Sequence, residues 1–314
     1  MSKTKSETWR WVIWLFVLAS AIGLLAKTDW LIEQIAVHRG LLPAAVVTPT
    51  KLPPPTWPID LNSYQSQAIL LYDLTRQEIL LAKNIDQAMS PASLVKIMTV
   101  VVALENLKDY DKSLTKISST ALAFARSQNA ATAGFSAGQL VTYLDLLYAA
   151  ILPSGAEAAL TLAELVAGSE AKFVDLMNEK AAALNLCQTV FRNSTGLDAA
   201  GQTVSARDIV KLLRYALKNP LFRQIFTAKE YRATTGLVMK HTIWSQVDDV
   251  ESTNFQLLGG KSGTTPAAGL CWSTLNQKNG REFLLVTLGA PLDKIPTTVL
   301  HQKSDWLEIM RVLH

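Results

Sequence analysis

The sequence predicts an α+β protein, an antiparallel sheet flanked by helices and interrupted by a helical insertion. Three observations lead there. Short apolar strand patterns stand at both ends of the folded region, a long stretch of helical periodicity separates them, and the strand connections are short enough for hairpins. With 314 residues and 49% of them hydrophobic, the chain can bury one sizeable core and still carry appendages.

The elements follow in order. MSKTKSETWR carries Lys3, Lys5 and Arg10, and the uncharged run WVIWLFVLASAIGLLA follows it. As a helix, residues 9–26 would span roughly 27 Å at about 1.5 Å per residue, close to a bilayer core. The basic residues before it predict a cytoplasmic segment 1–8, and Trp9, Trp11 and Trp30 suit the two interfaces. The competing reading is a cleaved signal peptide with Ala19-Ser20-Ala21 as the cleavage box. Both readings export the remainder, to a membrane-anchored extracytoplasmic position in the first case and as a secreted protein in the second. Residues 27–59 include PAAVVTPTKLPPPTWP, a proline-rich semi-extended spacer. The folded domain is expected over 60–314.

AILLYDL and EILLAKN, joined by TRQ, read as a hairpin. From Pro91 to about Leu217 apolar residues recur at helical steps, with Ser205 as a cap for SARDIVKLLRYAL. FQLLGGKSGTT, GLCWSTLNQ and REFLLVTLGA return to strands, the last two joined through Asn279-Gly280. An amphipathic helix, SDWLEIMRVLH, ends the reading.

Composition excludes some functions. The net charge is +4 and the basic residues are scattered, which argues against a nucleic-acid partner. Cys187 and Cys271 are the only cysteines. Neither has metal-ligand spacing, and both are expected as buried thiols rather than a disulfide or part of a metal site.

The chemistry-bearing signal is SPASLVKIMTV, in which Ser93 and Lys96 lie one helical turn apart ahead of an apolar run. On one helix face they stand about 5–6 Å apart. Burial of Lys96 would make its neutral form accessible as a base for the Ser93 hydroxyl. The same letters recur at Ser2–Lys5, Ser113–Lys116 and Ser169–Lys172, so context must choose. Ser2 is cytoplasmic or removed. Ser113 sits in a polar connection with no apolar helix expected behind it, and Ser169 opens an ordinary helix with Lys172 toward solvent. Two further stretches add to Ser93. ILPSGAEAAL sets Ser154 in a tight connection between two helical patterns. GGKSGTT puts Lys261, Ser262, Gly263 and Thr264 on a strand, where Gly263 suits close approach by another backbone and would let a peptide substrate lie along the edge, with Lys261 supplying positive charge and Ser262 a hydroxyl.

In this order the three stretches resemble the serine penicillin-recognising enzymes, whose signature is SxxK, then SxN, then K[ST]G. Together with FVDLMNEKA and FRNSTGLDAAGQTVSARD, they resemble most the serine-type D-alanyl-D-alanine carboxypeptidases, the low-molecular-mass penicillin-binding proteins of peptidase family S11. The resemblance implies a β-lactamase/DD-peptidase-like fold with an all-helical inserted subdomain. It implies an acyl-enzyme on Ser93, with Lys96 as general base and Ser154 relaying the proton to the departing D-Ala. Lys261 would hold Ser154. The N–H groups of Ser93 and Thr264 would form the oxyanion hole, with Lys261, Ser262, Gly263 and Thr264 binding substrate. The implied partners are peptidoglycan stem peptides ending in D-Ala-D-Ala, with β-lactams as inhibitors and no cofactor or metal. The sequence departs from the pattern at Ala156, where the family has Asn, followed by Glu157. The missing amide removes one hydrogen bond, about 1.5–3 kcal/mol if it reached a charged group. Ser127-Gln128-Asn129 has the missing SxN letters but lies close to Ser93 in a polar loop. The family's additional C-terminal β-domain has no counterpart in this reading, so membrane retention is expected to rest on 9–26.

Overall fold

The computed structural model describes residues 60–247, 250, 254–292 and 301–313. The proposed membrane segment, the whole spacer and the Ser2–Lys5 pair lie outside them. Among the described residues no helix is long and apolar enough to cross a membrane.

The strand patterns form one antiparallel sheet. β1 (Ala68–Asp73) and β2 (Glu78–Lys83) make the opening hairpin. Taking β3 (Leu114–Lys116), β4 (Leu140–Thr142), β5 (Glu230–Arg232) and β6 (Val238–Lys240) in chain order, the closing strands are β7 (Gln256–Thr265), β8 (Gly269–Lys278) and β9 (Arg281–Ala290). The large sheet runs β2-β1-β9-β8-β7, which makes β7 an edge strand. The β8–β9 turn uses Asn279 at φ 51° and Gly280 at φ 74°, two left-handed residues whose twist suits a tight hairpin.

Both faces of the sheet are covered, which explains why β1 is buried along its whole length. Side chains alternate across a strand. Ile69, Leu71, Trp272, Phe283 and Leu285 therefore meet Trp306, Ile309 and Met310 of the final helix, while Ala68, Leu70, Leu284, Val286 and Leu288 join the main core on the other face. The final helix spans His301–Val312. Asp305 fixes it by accepting from Gln65 N at 3.0 Å, Ser66 N at 2.7 Å and Ser66 Oγ at 2.6 Å.

Among the described residues seven helices precede it: α1 (Val95–Asn106), α2 (Ser119–Ser127), α3 (Tyr143–Ile151), α4 (Ala156–Ala167), α5 (Glu170–Ala183), α6 (Ala206–Ala216) and α7 (Pro220–Thr227), with the last helix as α8. Every residue of α1 from Val95 to Leu104 is buried, the mark of a helix packed on all sides. Ser205 caps α6 by accepting from Asp208 N, as its sequence indicates.

Three local expectations are corrected. The insertion is mainly helical but also contains two short ladders, β3–β4 and β5–β6. The second is hooked to the start of α3, where Asp145 accepts from Tyr231 OH at 3.0 Å and Thr234 Oγ1 at 2.5 Å. Ser113 is followed by an amphipathic helix after all: α2 buries Ala121, Leu122 and Ala125. Its partner Lys116 is nonetheless exposed, as is Lys172. Both cysteines are free thiols, but Cys187 is exposed and only Cys271 buried. In LNLCQTV it is Leu186 that turns inward.

Candidate active site

The chain reaches Ser93 through a short 3-10 turn, Ala92–Leu94, which passes into α1. Ala92 is forced to φ 46°, a left-handed conformation that a non-glycine residue keeps only where its surroundings dictate it. Those surroundings are two glycines. A β-carbon on Gly263 of β7 would stand 2.8 Å from Ser93 N and 2.9 Å from Ala92 Cβ. One on Gly196 would stand 2.0 Å from the Ala92 carbonyl oxygen. Gly263 is thus required for close approach, as its place in a strand indicates, but the backbone that approaches on its side-chain face is the protein's own.

Lys96 lies one turn into the helix from Ser93 and is 2% exposed. Its Nζ donates to Ser93 Oγ at 3.0 Å and to the Thr195 carbonyl at 2.6 Å. Thr99, on the same helix face, donates to the Ser194 carbonyl at 2.7 Å, so the Ser194–Gly196 loop is held against the helix that follows Ser93. Burial pushes the Lys96 amine down to about 7, against the opposing charge of Glu157. Lys261 on β7 is fully buried, donates to the Ser262 carbonyl at 2.8 Å, and lies well below the ordinary lysine range because of burial and the nearby charge of Lys96. Two lysines in one water-poor site cannot both carry charge cheaply.

The second stretch arrives between α3 and α4. Gly155 rather than Ser154 occupies the N-cap position of α4. Ser154 has φ 63° and is 6% exposed, and its Oγ makes no hydrogen bond among the described residues. Such a conformation costs a non-glycine residue on the order of 1–3 kcal/mol and clusters at working sites. The expected Lys261–Ser154 hydrogen bond is therefore not made here, because Lys261 turns to the Ser262 carbonyl instead. A link between the two stretches exists through Thr242. Its N–H donates to the Leu152 carbonyl at 3.0 Å, and its hydroxyl pairs with Ser262 Oγ at 2.9 Å.

Thus the first stretch touches the third through Gly263, and Lys96 feels both Lys261 and Glu157. Thr242 spans the second and third. Ser262 is half-buried and Thr264 exposed at the edge of β7. Asn129 is exposed just beyond α2, and the chain after it packs on the second stretch through Ala131, whose carbonyl accepts from Ala156 N at 2.8 Å.

Several contributors are not apparent from sequence. Thr195 acts through a backbone carbonyl, which no side-chain pattern reveals. Asp198 accepts from Thr265 Oγ1 at 2.5 Å and Ala267 N at 3.1 Å, clamping the end of β7. His241, buried beside Lys261, is held neutral with its pKa near about 3 by burial and by that lysine's charge. The one available signal was FRNSTGLDAAG, where Gly196 marks a close approach.

Residues 55–292 match the family described as Peptidase S11, D-alanyl-D-alanine carboxypeptidase. The chain belongs to this family. Among its relatives, D-alanyl-D-alanine carboxypeptidase DacC of Escherichia coli (strain K12) is 32% identical over 257 residues, covering 79% of this chain and 62% of that protein. A D-alanyl-D-alanine carboxypeptidase of Streptomyces sp. (strain K15) is 29% identical, covering 74% of this chain and 81% of the other. The Streptomyces K15 DD-transpeptidase structure superposes with a TM-score of 0.69 at 26% identity, over 79% of this chain and 97% of that one. Penicillin binding protein 6B of Escherichia coli gives 0.69 at 26% identity, over 83% and 80%. These neighbours share the β-lactamase/DD-peptidase-like fold with this family member.

Proposed function

We propose that this protein is a serine DD-carboxypeptidase that removes the terminal D-Ala from peptidoglycan stem pentapeptides through an acyl-enzyme on Ser93. The observation that carries the proposal is the 3.0 Å contact between Lys96 Nζ and Ser93 Oγ, made by an amine whose proton affinity is near about 7. A neutral amine at that distance takes the hydroxyl proton as Oγ attacks the carbonyl of the penultimate D-Ala. The N–H groups of Ser93 and Thr264 are assigned to the developing oxyanion. Ser154, with a free hydroxyl, passes the proton to the leaving amine. Lys261, whose proton affinity burial lowers, supplies positive field when the arriving carboxylate favours its protonated form, while Ser262 and Thr264 take that terminal carboxylate, with the peptide lying along the edge of β7. Water then releases the shortened stem. β-Lactams present the same acyl group and acylate the same oxygen.

The assignment to the outer face of the membrane rests on sequence: residues 9–26 as anchor, 27–59 as spacer, or secretion if the leader is cleaved. A second reading, binding of stem peptide or penicillin without turnover, is favoured by Ala156, which offers no amide beside Ser154.

Intact-protein mass spectrometry after penicillin treatment, paired with D-Ala release from a pentapeptide, tests both. The expected result is an adduct on Ser93 that Ser93→Ala removes, together with released D-Ala. A lasting adduct without D-Ala transfers the assignment to the second reading. An adduct that survives Ser93→Ala overturns the mechanism. A cross-linked dimer and an acceptor amine, assayed in parallel, report endopeptidase and transpeptidase activity.

A further inference from the structure

One face of β7 carries a hydroxyl pair of which the mechanism above uses only one member. Side chains alternate along a strand, so Gly260, Ser262 and Thr264 share the face opposite Lys261 and Gly263. The segment that follows β6 lies on this face. Ile243 is fully buried and presses on Gly260, where a β-carbon would stand 2.4 Å from Ile243 Cδ1. Two residues along the strand, Ser262 Oγ meets Thr242 Oγ1 at 2.9 Å. Thr264 completes the row and is exposed.

The main chain of Thr242 is fully committed. Its N–H donates to the Leu152 carbonyl at 3.0 Å, and its carbonyl accepts from Ser245 Oγ at 2.9 Å. The residues on either side are tied as well. His241 N donates to the Lys229 carbonyl at 2.9 Å, and Ile243 N donates to His241 Nδ1 at 3.2 Å. The backbone therefore holds the Thr242 hydroxyl over β7 without help from the hydroxyl itself. Among the described residues the hydrogen bond of each hydroxyl is the one to the other.

Two paired hydroxyls can be polarised either way, and the direction decides what Ser262 offers. If Ser262 donates to Thr242, Ser262 Oγ turns only lone pairs outward, and these repel a carboxylate. If Thr242 donates, Ser262 Oγ is satisfied as an acceptor and its own proton is free to point at an anion. A carboxylate only accepts, so it selects the second arrangement, and the two bonds in series strengthen each other. We propose that Thr242 is a positioning residue for the substrate's terminal carboxylate: its hydrogen bond to Ser262 Oγ turns the Ser262 proton toward that carboxylate and so favours peptides that end in a free acid. The inference rests on the reading that Ser262 and Thr264 take the carboxylate. Thr242 itself touches neither the substrate nor the reacting bond and acts through Ser262.

The test compares two stem pentapeptides, one ending in D-Ala-D-Ala with a free carboxylate and one ending in the carboxamide. Release of D-Ala or D-alaninamide is measured for wild type, Thr242→Val and Thr242→Ser. Valine keeps the shape and the main-chain bonds of Thr242 and removes the hydroxyl; serine keeps the hydroxyl. Wild type is expected to prefer the free acid. In Thr242→Val the KM for the free acid should rise roughly tenfold with kcat nearly unchanged, the mark of an interaction made alike in ground and transition states. The carboxamide, whose neutral oxygen gains less from the same proton, should change by no more than about twofold. Thr242→Ser should keep the wild-type preference. Thr242→Ala, which removes the same hydroxyl with less bulk, carries the test if the valine variant does not fold. A preference for the free acid that is unaltered without the hydroxyl, or that falls as far in Thr242→Ser, overturns the proposal and leaves the pair as a packing contact. If wild type does not distinguish the two peptides, the carboxylate assignment fails and the inference with it. Release from neither peptide defeats the carboxypeptidase reading itself.

Discussion

The turn carrying Ser93 and the turn carrying Ser154 are built alike and finished differently. Each enters a helix, and each contains a non-glycine residue in the left-handed region, Ala92 and Ser154. Around Ser93 the polar groups are matched: Lys96 bonds both the hydroxyl and the Thr195 carbonyl. Around Ser154 they are not, since Ser154 Oγ and Glu157 Oε2 are both buried without a hydrogen bond among the described residues. The difference separates a hydroxyl that already has a basic partner from one that has none among the described residues.

Mutations at the two turns sharpen or break this contrast. The largest effect is expected at the matched turn. Ser93→Ala should abolish acylation, with a melting temperature close to wild type because a half-buried hydroxyl is small; retained acylation would move the nucleophile elsewhere. Gly263→Ala comes next. Its new methyl would meet Ser93 N and Ala92 Cβ below 3.0 Å, and because both are parts of the site, the 92–94 turn has to move. A destabilisation of about 1–3 kcal/mol is expected, with acylation reduced more than roughly tenfold. Wild-type kinetics in this variant would show that the strand does not set the geometry.

The unmatched turn should respond with opposite signs in stability and rate. Ser154→Ala removes a buried hydroxyl that lacks a partner, so denaturant unfolding should show a gain of about 1 kcal/mol. D-Ala release should fall roughly a hundredfold as the proton route is lost. A variant that is both less stable and fully active would reverse the comparison. The smallest effect belongs to Ser113→Ala. Its hydroxyl reaches only the Lys108 carbonyl at 3.5 Å in an exposed position, so stability should stay within about 0.5 kcal/mol and activity should not change.

These positions also show what the letters convey. The large sheet could be read because β1, β2, β7, β8 and β9 are long enough to show apolar strand patterns, and Asn279-Gly280 marks a turn. The ladders β3–β4 and β5–β6 could not be read, because strands of three residues fall short of any visible alternation. Ser93 and Lys96 were legible since their relation is local, one helical turn. Thr195, Thr242 and Asp198 come from distant segments, and Thr195 contributes only a carbonyl. Gly263 was singled out as a point of close approach, but for a substrate backbone and not for the turn at Ala92 and Ser93 that the structure places there. Which backbone approaches it required the fold, and so did the position of Lys261, whose bond goes to its neighbour's carbonyl instead of Ser154. Cys187 was misjudged for a similar reason. Its segment is apolar on average, and only the turn geometry decides that Leu186 faces inward.

The buried lysine also predicts a pH dependence of stability. Its folded-state proton affinity lies near about 7, below the ordinary 10.5. The unfolded chain therefore binds the extra proton between those values, and stability rises with pH across that window. Below about 7 both states are protonated and the cost of burying the charge is fully present.

The rate constant for Ser93 acylation as a function of pH tests the central claim most directly, because only neutral Lys96 can accept the proton. The account predicts one rise with its midpoint near about 7 and a plateau above it. A rate that continues to climb toward the ordinary lysine range near 10.5, or that shows no rise at all, would contradict it.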